Sequence, residues 1–202
     1  MVLWDNIGIS FSVIYNVKVS GNGKAKVLNP AELSRLMIEL QKTPRNACLY
    51  AICFYTACRI SEALHLLTTD ITENHITFRK ANTKGRLKTR TIPINENLRR
   101  FLIAYQPKKP GPLFPGQTGV AVTPYLSRTS ADRILKLAAR RAKVQGVSSH
   151  SFRRTSLTYM YRANIPLKTI QEISGHNDLA TLQIYLEVLP EHVEAAINVL
   201  SF

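Results

Sequence analysis

Residues 28–57, LNPAELSRLMIELQKTPRNACLYAICFYTA, carry the clearest structural signals in the 202-residue chain. At residues 29–32, an asparagine is followed by proline and, three positions on, by glutamate. This is the pattern of a capping box with proline at the first helical position, and it predicts a helix to about Lys42. Residues 43–44 repeat the start signal for a mostly apolar helix reaching about Ala57. We expect this second helix to form the core of the domain.

Outward from this pair, the chain is mainly helical with one small antiparallel sheet. Residues 75–80 and 87–94 are typical of two short strands joined by a basic turn. Residues 106–123 are rich in proline and glycine and predict a surface connection. Further helices are predicted around residues 61–67, 95–105, 129–143 (capped by Thr129 or Ser130), 149–163, 166–174, 178–185 and 190–199. The predicted fold class is α+β, with a possible strand or hairpin arm at residues 1–26 and one domain at residues 27–202.

Composition restricts the class of protein. The formal net charge is +14 and the sequence pI is about 10.0, so the expected partner is a polyanion, above all nucleic acid. No apolar stretch approaches the ~20 residues needed to cross a bilayer, and no signal peptide is apparent. Cys48, Cys53 and Cys58 have neither disulfide-framework nor zinc-ligand spacing, so we expect buried thiols in a reducing compartment.

Part of the charge is concentrated in the predicted hairpin. Residues 79–90, RKANTKGRLKTR, contain six cations and no acid. Such a hairpin is suited to lie along a phosphate backbone, where each neutralised phosphate releases counterions. It is equally typical of a solvated strand edge on which lysine and arginine prevent aggregation. A second basic cluster lies on the helix predicted at residues 129–143.

Four short segments are candidates for chemistry. His150 and Arg153 form an HxxR pattern on the first turn of a helix, which places both on one face. His176 follows a glycine where a left-handed helix end is expected, and Tyr185 comes nine residues later. Arg59 lies between two helices. Taken singly, each residue is more often structural or solvent-facing, so their order and spacing carry the argument.

The spacing leads to a family. Residues 56–64 (TACRISEAL), 150–155 (HSFRRT) and 174–185 (SGHNDLATLQIY) resemble, in order, the signature boxes of tyrosine recombinases, the phage-integrase and Xer-like enzymes. Lys84, ahead of RTIPI, is similar to the catalytic lysine of the family's β-hairpin. The resemblance runs from about Lys26 to the C-terminus. It implies the tyrosine recombinase catalytic-domain fold and site-specific DNA cleavage and rejoining.

The resemblance implies six catalytic residues: Arg59, Lys84, His150, Arg153, His176 and Tyr185. The two arginines would balance charge on the non-bridging phosphate oxygens, as phosphoryl transfer without a metal requires. His176 would hydrogen-bond the phosphate. Tyr185 would attack it and form a 3′-phosphotyrosine, which stores the bond for religation.

Proton transfer is assigned to the remaining two residues. The phenol of Tyr185 has to lose a proton although its ordinary pKa is ~10. His150 is the natural acceptor or relay, and Lys84 would protonate the leaving 5′-oxygen. The resemblance implies no cofactor and no metal, and the acidic residues show no paired motif for two-metal chemistry. We expect Glu62 to order the loop that holds Arg59.

The expected partner is double-stranded DNA, with no membrane involved. Two alternatives are a type IB topoisomerase-like enzyme that relaxes DNA and a non-catalytic DNA-binding regulator on the same fold. The expected setting is the cytoplasm, on the nucleoid, of a prokaryote or phage host. The residues expected to contact DNA are Arg79, Lys80, Arg86, Lys88, Arg90 and Arg154.

Three departures from the family pattern stand out. The loop holding Lys84 is one residue longer than usual, which leaves Lys80 and Lys88 as weaker candidates for the lysine. Ser174 stands where leucine is usual, and Cys58 stands at a variable position; we expect neither to touch the chemistry.

The two ends of the chain bear on assembly. Only about 26 residues precede the match, too few for the core-binding domain that family members carry. The chain would be a fragment or would rely on a partner that supplies this domain, with weak DNA binding alone. Residues 189–202 predict an amphipathic helix, which either packs on its own domain or docks on a neighbouring protomer in a tetrameric synapse on DNA.

Overall fold

The computed structural model describes residues 25–82, 89–107, 109–116, 124–183 and 197–200. Short 3₁₀ turns lie at Thr68–Asp70 and Lys80–Asn82. The helices and strands in chain order are α1 (Pro30–Gln41), α2 (Pro44–Tyr55), α3 (Ile60–Leu64), β1 (His75–Phe78), β2 (Arg90–Pro93), α4 (Glu96–Ala104), α5 (Arg128–Arg141), α6 (Ser149–Arg162), α7 (Leu167–Ser174) and α8 (Leu179–Gln183). The predicted mainly helical fold with a small antiparallel sheet is confirmed.

The first helix begins as the sequence predicts. The Asn29 side chain accepts a hydrogen bond from the backbone N–H of Glu32 at 2.8 Å, and the Glu32 carboxylate accepts one from the N–H of Asn29 at 3.3 Å. This reciprocal arrangement satisfies two backbone donors that the helix itself cannot bond. Leu28 and Leu33 are both buried beside it, so the start of α1 is fixed on the core.

Helix α2 is the centre of the core. Residues 47–53 are all buried, and α2 packs against α1, α3, α4 and α6. The three cysteines are buried and form no disulfide. Inside this core, Tyr50 stacks on Phe152 of α6 with ring centroids 5.0 Å apart, and its hydroxyl donates to the Ala131 carbonyl of α5 at 2.7 Å. One side chain thereby links three helices.

The sheet consists of β1 and β2 paired antiparallel, with Ile76 opposite Ile92. Alternate residues face the core: Ile76 and Phe78 on β1, and Arg90 and Ile92 on β2. Both strands are shorter than the segments predicted, and residues 83–88, where the basic turn is predicted, lie outside the described residues. Pro93 ends β2, where its missing N–H leaves no ladder bond unmade.

Helix α5 begins earlier than predicted. Its cap is Ser127, whose hydroxyl accepts from the backbone N–H of Ser130 at 3.1 Å, whereas the sequence indicated Thr129 or Ser130. Ser127, Thr129 and Ser130 are all residue types that cap helices, so the sequence alone does not show which of them is the cap. The arm at residues 1–24 and the segment 184–196 lie outside the described residues. Among the residues described, no helix is long and apolar enough to span a membrane.

Removal of the Tyr50 hydroxyl tests this packing. We expect Tyr50→Phe to lower the free energy of unfolding by about 1–2 kcal/mol, because the hydrogen bond to Ala131 is buried. The effect of Tyr105→Phe should be smaller, since that hydroxyl, which bonds the Leu113 carbonyl, is only partly buried. Urea denaturation of the two variants measures the difference; equal losses would contradict the assignment.

Candidate active site

Four elements bring the functional side chains together. Arg59 caps the start of α3, Arg90 is the first residue of β2, and Arg153 lies in the second turn of α6. His176 follows the left-handed Gly175 that ends α7. These residues come from distant parts of the sequence, and the core helices hold their elements in contact.

A buried carboxylate lies at the centre of this group. Glu62 is 1% exposed and accepts hydrogen bonds from both terminal nitrogens of Arg90, at 3.2 and 2.9 Å. It also accepts from the backbone N–H of Arg59 at 2.8 Å and from the Arg59 guanidinium at 3.3 Å. The expectation that Glu62 orders the arginine loop agrees with these contacts.

Glu62 is held in its charged form. Burial by itself raises the pKa of this carboxyl, but the hydrogen bonds and charge of Arg90, the backbone N–H of Arg59 and the charge of Arg153 outweigh it. The net effect is a pKa below the usual value. A buried charge is tolerable only when it is paired in this manner, and removing one partner typically costs 3–5 kcal/mol.

Arg90 is a structural part of this group. Its side chain is buried, its guanidinium carbon lies 4.4 Å from the centroid of the Phe78 ring, and both terminal nitrogens are engaged by Glu62. A Cβ added at Gly175 would lie 2.7 Å from Arg90 Nη1, so the glycine permits this close approach. The expected direct contact of Arg90 with DNA disagrees with this burial.

Arg153 is 2% exposed and is oriented by backbone carbonyls. Its Nη1 donates to the carbonyl oxygens of Ala57 and Ser174, the latter at 2.9 Å. Ala57 has a φ of 49°, which is a strained conformation for alanine and turns its carbonyl toward the arginine. Burial, followed by the charge of Arg59, lowers the pKa of Arg153 to about 10, so it remains a cation at neutral pH.

His176 lies against Arg153 and is 5% exposed. Arg153 Nη2 is 2.9 Å from its Nε2, and the hydroxyl of Ser174 is 2.7 Å from its Nδ1. Burial and the positive charges of Arg153, Arg59 and Arg90 lower the pKa of His176 to about 3. The ring is therefore neutral at physiological pH and available for hydrogen bonding.

His150 lies at the start of α6 and keeps an exposed edge. The pKa of its imidazole is lowered, first by partial loss of hydration and then by the charges of Arg128, Arg153 and Arg59, which Asp132 partly offsets. That Arg153 and Arg59 both act on this ring places it within their electrostatic reach. A neutral imidazole at pH 7 can accept a proton.

The remaining predicted residues are distributed as follows. Lys84, Arg86, Lys88 and Tyr185 lie outside the described residues. Arg79 and Lys80 are both exposed, and Arg79 is paired with Asp70. Arg154, in contrast, is buried and donates to the Ala25 carbonyl at 2.6 Å, so its burial disagrees with direct contact with DNA. No group of histidine, cysteine, aspartate or glutamate able to hold a metal ion occurs within the described part of the chain.

Sequence reasoning missed the role of two residues. Arg90 has the same parity as the buried Ile92 and Ile94, so strict alternation along the strand predicts an inward arginine. Ser174 comes four residues after the buried Ile170, on the inner face of α7. Ser174, which was expected to stand apart from the chemistry, contacts both Arg153 and His176.

Comparison with known proteins agrees with this arrangement. The sequence pattern described as the Phage integrase family matches residues 26–192. The chain belongs to the phage integrase family. Tyrosine recombinase XerC of Rickettsia bellii (strain OSU 85-389) is 30% identical over 158 residues, which cover 75% of this chain and 50% of the relative. Tyrosine recombinase XerA of Pyrococcus furiosus is 30% identical over 178 residues, covering 86% and 61%.

Solved structures share the fold. The crystal structure of XerA recombinase aligns with a TM-score of 0.71 at 22% identity, over 88% of this chain and 66% of that one. The catalytic domain of bacteriophage HP1 integrase aligns with a TM-score of 0.66 at 25% identity, over 87% and 95%. This phage integrase family member spans about half the length of the XerC relatives that it matches. These similarities do not favour the topoisomerase and regulator alternatives.

The close approach of Gly175 to Arg90 yields a stability prediction. We expect Gly175→Ala to lower the free energy of unfolding by about 2–4 kcal/mol, because it adds backbone strain and displaces a guanidinium from a buried carboxylate. Gly146→Ala is the control, since Gly146 has a similar φ (73° against 66°); its loss should be about 1 kcal/mol. Equal losses in urea denaturation would show that the Arg90 contact is unimportant.

The lowered pKa of His176 predicts pH-dependent stability. The unfolded chain binds a proton at this residue near pH 6.5, while the folded protein does not do so until about pH 3. Stability is therefore lost as the pH falls below 6.5. Between pH 6.5 and 5.5, above most of the range in which carboxylates titrate, we expect His176→Asn to reduce this loss by about 1 kcal/mol.

Urea denaturation at several pH values measures the slope. The exposed His75 supplies the matched control, His75→Asn. A slope that His75→Asn reduces as much as His176→Asn would refute the assignment to the buried ring.

Proposed function

We propose that this chain is the catalytic part of a site-specific DNA recombinase. It cleaves one DNA strand at a time and rejoins it through a 3′-phosphotyrosine, with no metal or cofactor. The observation that carries the proposal is the convergence of Arg59, Arg153 and His176 around the buried carboxylate of Glu62. Membership of the phage integrase family, and the recombinase names of the relatives, support the same function.

The charges in the site suit a phosphodiester. Three guanidinium groups, those of Arg59, Arg90 and Arg153, surround one carboxylate, so the site keeps an excess of positive charge. Arg59 is the most exposed of the three, with 25% of its side chain accessible. Arg59 is therefore the most accessible to a scissile phosphate, while the buried Arg153 supplies a fixed positive charge. Preorganised donors of this kind stabilise the charge that develops on the non-bridging oxygens.

The reaction requires one proton to leave and one to arrive. The phenolic oxygen of Tyr185 forms a bond to phosphorus, and the bond from phosphorus to the 5′-oxygen breaks. His150, neutral because of its lowered pKa, accepts the phenolic proton. Lys84 donates a proton to the leaving 5′-oxygen. Religation runs the same steps in reverse, so no external energy source is consumed.

The proposal extends to partners. XerH, which aligns with a TM-score of 0.66 at 25% identity over 91% of this chain and 56% of its own, has been solved bound to its difH substrate. We infer that this chain also binds double-stranded DNA, with Arg79, Lys80, Arg86 and Lys88 among its contacts. Residues 189–202 would join protomers in a tetrameric synapse. A core-binding domain, from a longer chain or from a partner, would enclose the DNA together with this domain. The setting is the cytoplasm, on the nucleoid.

A covalent trapping experiment tests the function. Nicked suicide duplexes with a randomised core are incubated with the protein, and the products are separated on a denaturing gel. We expect a protein–DNA adduct that persists in EDTA and is absent in Tyr185→Phe, because the phenol is the nucleophile. Tyr161→Phe, on the last turn of α6, is the matched control and should form the adduct.

The outcomes separate the alternatives. An adduct that survives Tyr185→Phe would refute the assigned nucleophile. Bound DNA without any adduct would favour a regulator. Relaxation of a plasmid by the protein, with no exchange between two duplexes, would favour a topoisomerase-like enzyme.

A further inference from the structure

Ser174 contacts two functional side chains from a fully buried position. Its hydroxyl lies 2.7 Å from Nδ1 of His176 and 3.3 Å from the Gln171 carbonyl, to which it donates. Its own carbonyl accepts from Arg153 Nη1 at 2.9 Å. One residue at the end of α7 thus meets both the arginine and the histidine of the site.

A hydroxyl at this position needs a reason. A buried hydroxyl without a partner costs free energy, whereas leucine, the residue usual in the family, would pack on the apolar face of α7. Here the hydroxyl hydrogen-bonds the imidazole of His176. Since the carbonyl contact to Arg153 would survive any substitution, the particular contribution of serine is the bond to His176.

We propose that Ser174 is a positioning residue that holds the ring of His176 at Nδ1, because its hydroxyl can serve either tautomer. The Ser174 hydroxyl engages Nδ1, so Nε2 is the nitrogen presented to Arg153 and, if the proposed function holds, to the scissile phosphate. Ser174 itself touches neither DNA nor the reacting atoms.

The hydrogens of the DNA-free site follow from the donors available. Arg153 can only donate, and its Nη2 is nearer to Nε2 (2.9 Å) than to Nδ1 (3.3 Å). Nε2 therefore accepts, and the neutral ring carries its hydrogen on Nδ1. The Ser174 oxygen accepts a hydrogen bond from Nδ1–H, and the Ser174 hydroxyl donates one to the Gln171 carbonyl. Only this arrangement makes all three close contacts hydrogen bonds at once.

The same hydroxyl suits the DNA-bound site. When a phosphate replaces the arginine at Nε2, the ring has to donate from Nε2, so it loses the Nδ1 proton to water and gains one at Nε2 from water. The Ser174 hydroxyl then turns and donates to Nδ1. Alanine or leucine can serve neither form, because each lacks a donor and an acceptor.

Nitrogen NMR of the DNA-free protein tests both the tautomer and the hydrogen bond at Nδ1. Protein labelled with ¹⁵N in its histidines is compared as wild type, Ser174→Ala and Ser174→Thr, and His176→Asn identifies the resonances of this ring. We expect the wild type and Ser174→Thr to show one neutral tautomer with the hydrogen on Nδ1. Ser174→Ala should keep this tautomer, because Arg153 still donates to Nε2, but its Nδ1 resonance should shift and its Nδ1 hydrogen should exchange faster with water, because that hydrogen has lost its acceptor. Hydrogen on Nε2 in the wild type, or a spectrum unchanged in Ser174→Ala, would overturn the proposal.

The trapping assay adds a functional measurement. We expect Ser174→Ala to lower the rate of adduct formation about tenfold, as loss of one such hydrogen bond implies, with DNA affinity unchanged and with recovery in Ser174→Thr. Ser156→Ala, which removes a buried hydroxyl from α6, should leave the rate unchanged. A wild-type rate in Ser174→Ala would overturn the proposal. Absence of an adduct even in wild type would count against the proposed function, whereas the NMR comparison stands without DNA.

Discussion

The site depends on one buried negative charge. Glu62 accepts hydrogen bonds from two arginines and lies within the electrostatic reach of a third. Without it, like charges would be pressed together in a region with little water to screen them. With it, the guanidinium groups keep fixed positions while an excess of positive charge remains for an anion. The carboxylate therefore serves folding and function through the same contacts.

The core explains how that charge can be paired so closely. Helix α2 is buried along most of its length, and the chain leaves it through the strained turn at Ala57, whose carbonyl accepts from Arg153. Helix α7 ends in a left-handed glycine that leaves room for Arg90. Two irregular backbone positions, each held by packed helices, thus set the directions of two guanidinium groups. Strain of this kind persists where the surrounding structure over-determines it.

Local patterns in the sequence predict the helices well and the buried polar contacts less well. The capping box at Asn29 and Glu32 involves neighbours in the chain, so the sequence alone identifies it. The same is true of the order of the Arg59, Arg153 and His176 boxes. The inward position of Arg154 and the contact of Ser174 with Arg153 depend on partners far along the chain. Alternation along the strand indicates that Arg90 is inward, but not that Glu62 is its partner. The arginines of a basic chain usually lie at the surface, and they are buried only where a specific hydrogen-bond acceptor is available.

The pairing of β1 with β2 has a consequence for the accuracy of folding. A slip of one residue in the pairing would turn Thr91 inward in place of Arg90 and would also expose the buried Ile92. That slip would leave Glu62 facing a methyl and a hydroxyl, with the guanidinium expelled to solvent. Because an unpaired buried carboxylate is so unfavourable, the ion pair acts as an alignment check on the hairpin. The ion pair between Arg90 and Glu62 thus stabilises both the charged site and the correct register of the only sheet in the described residues.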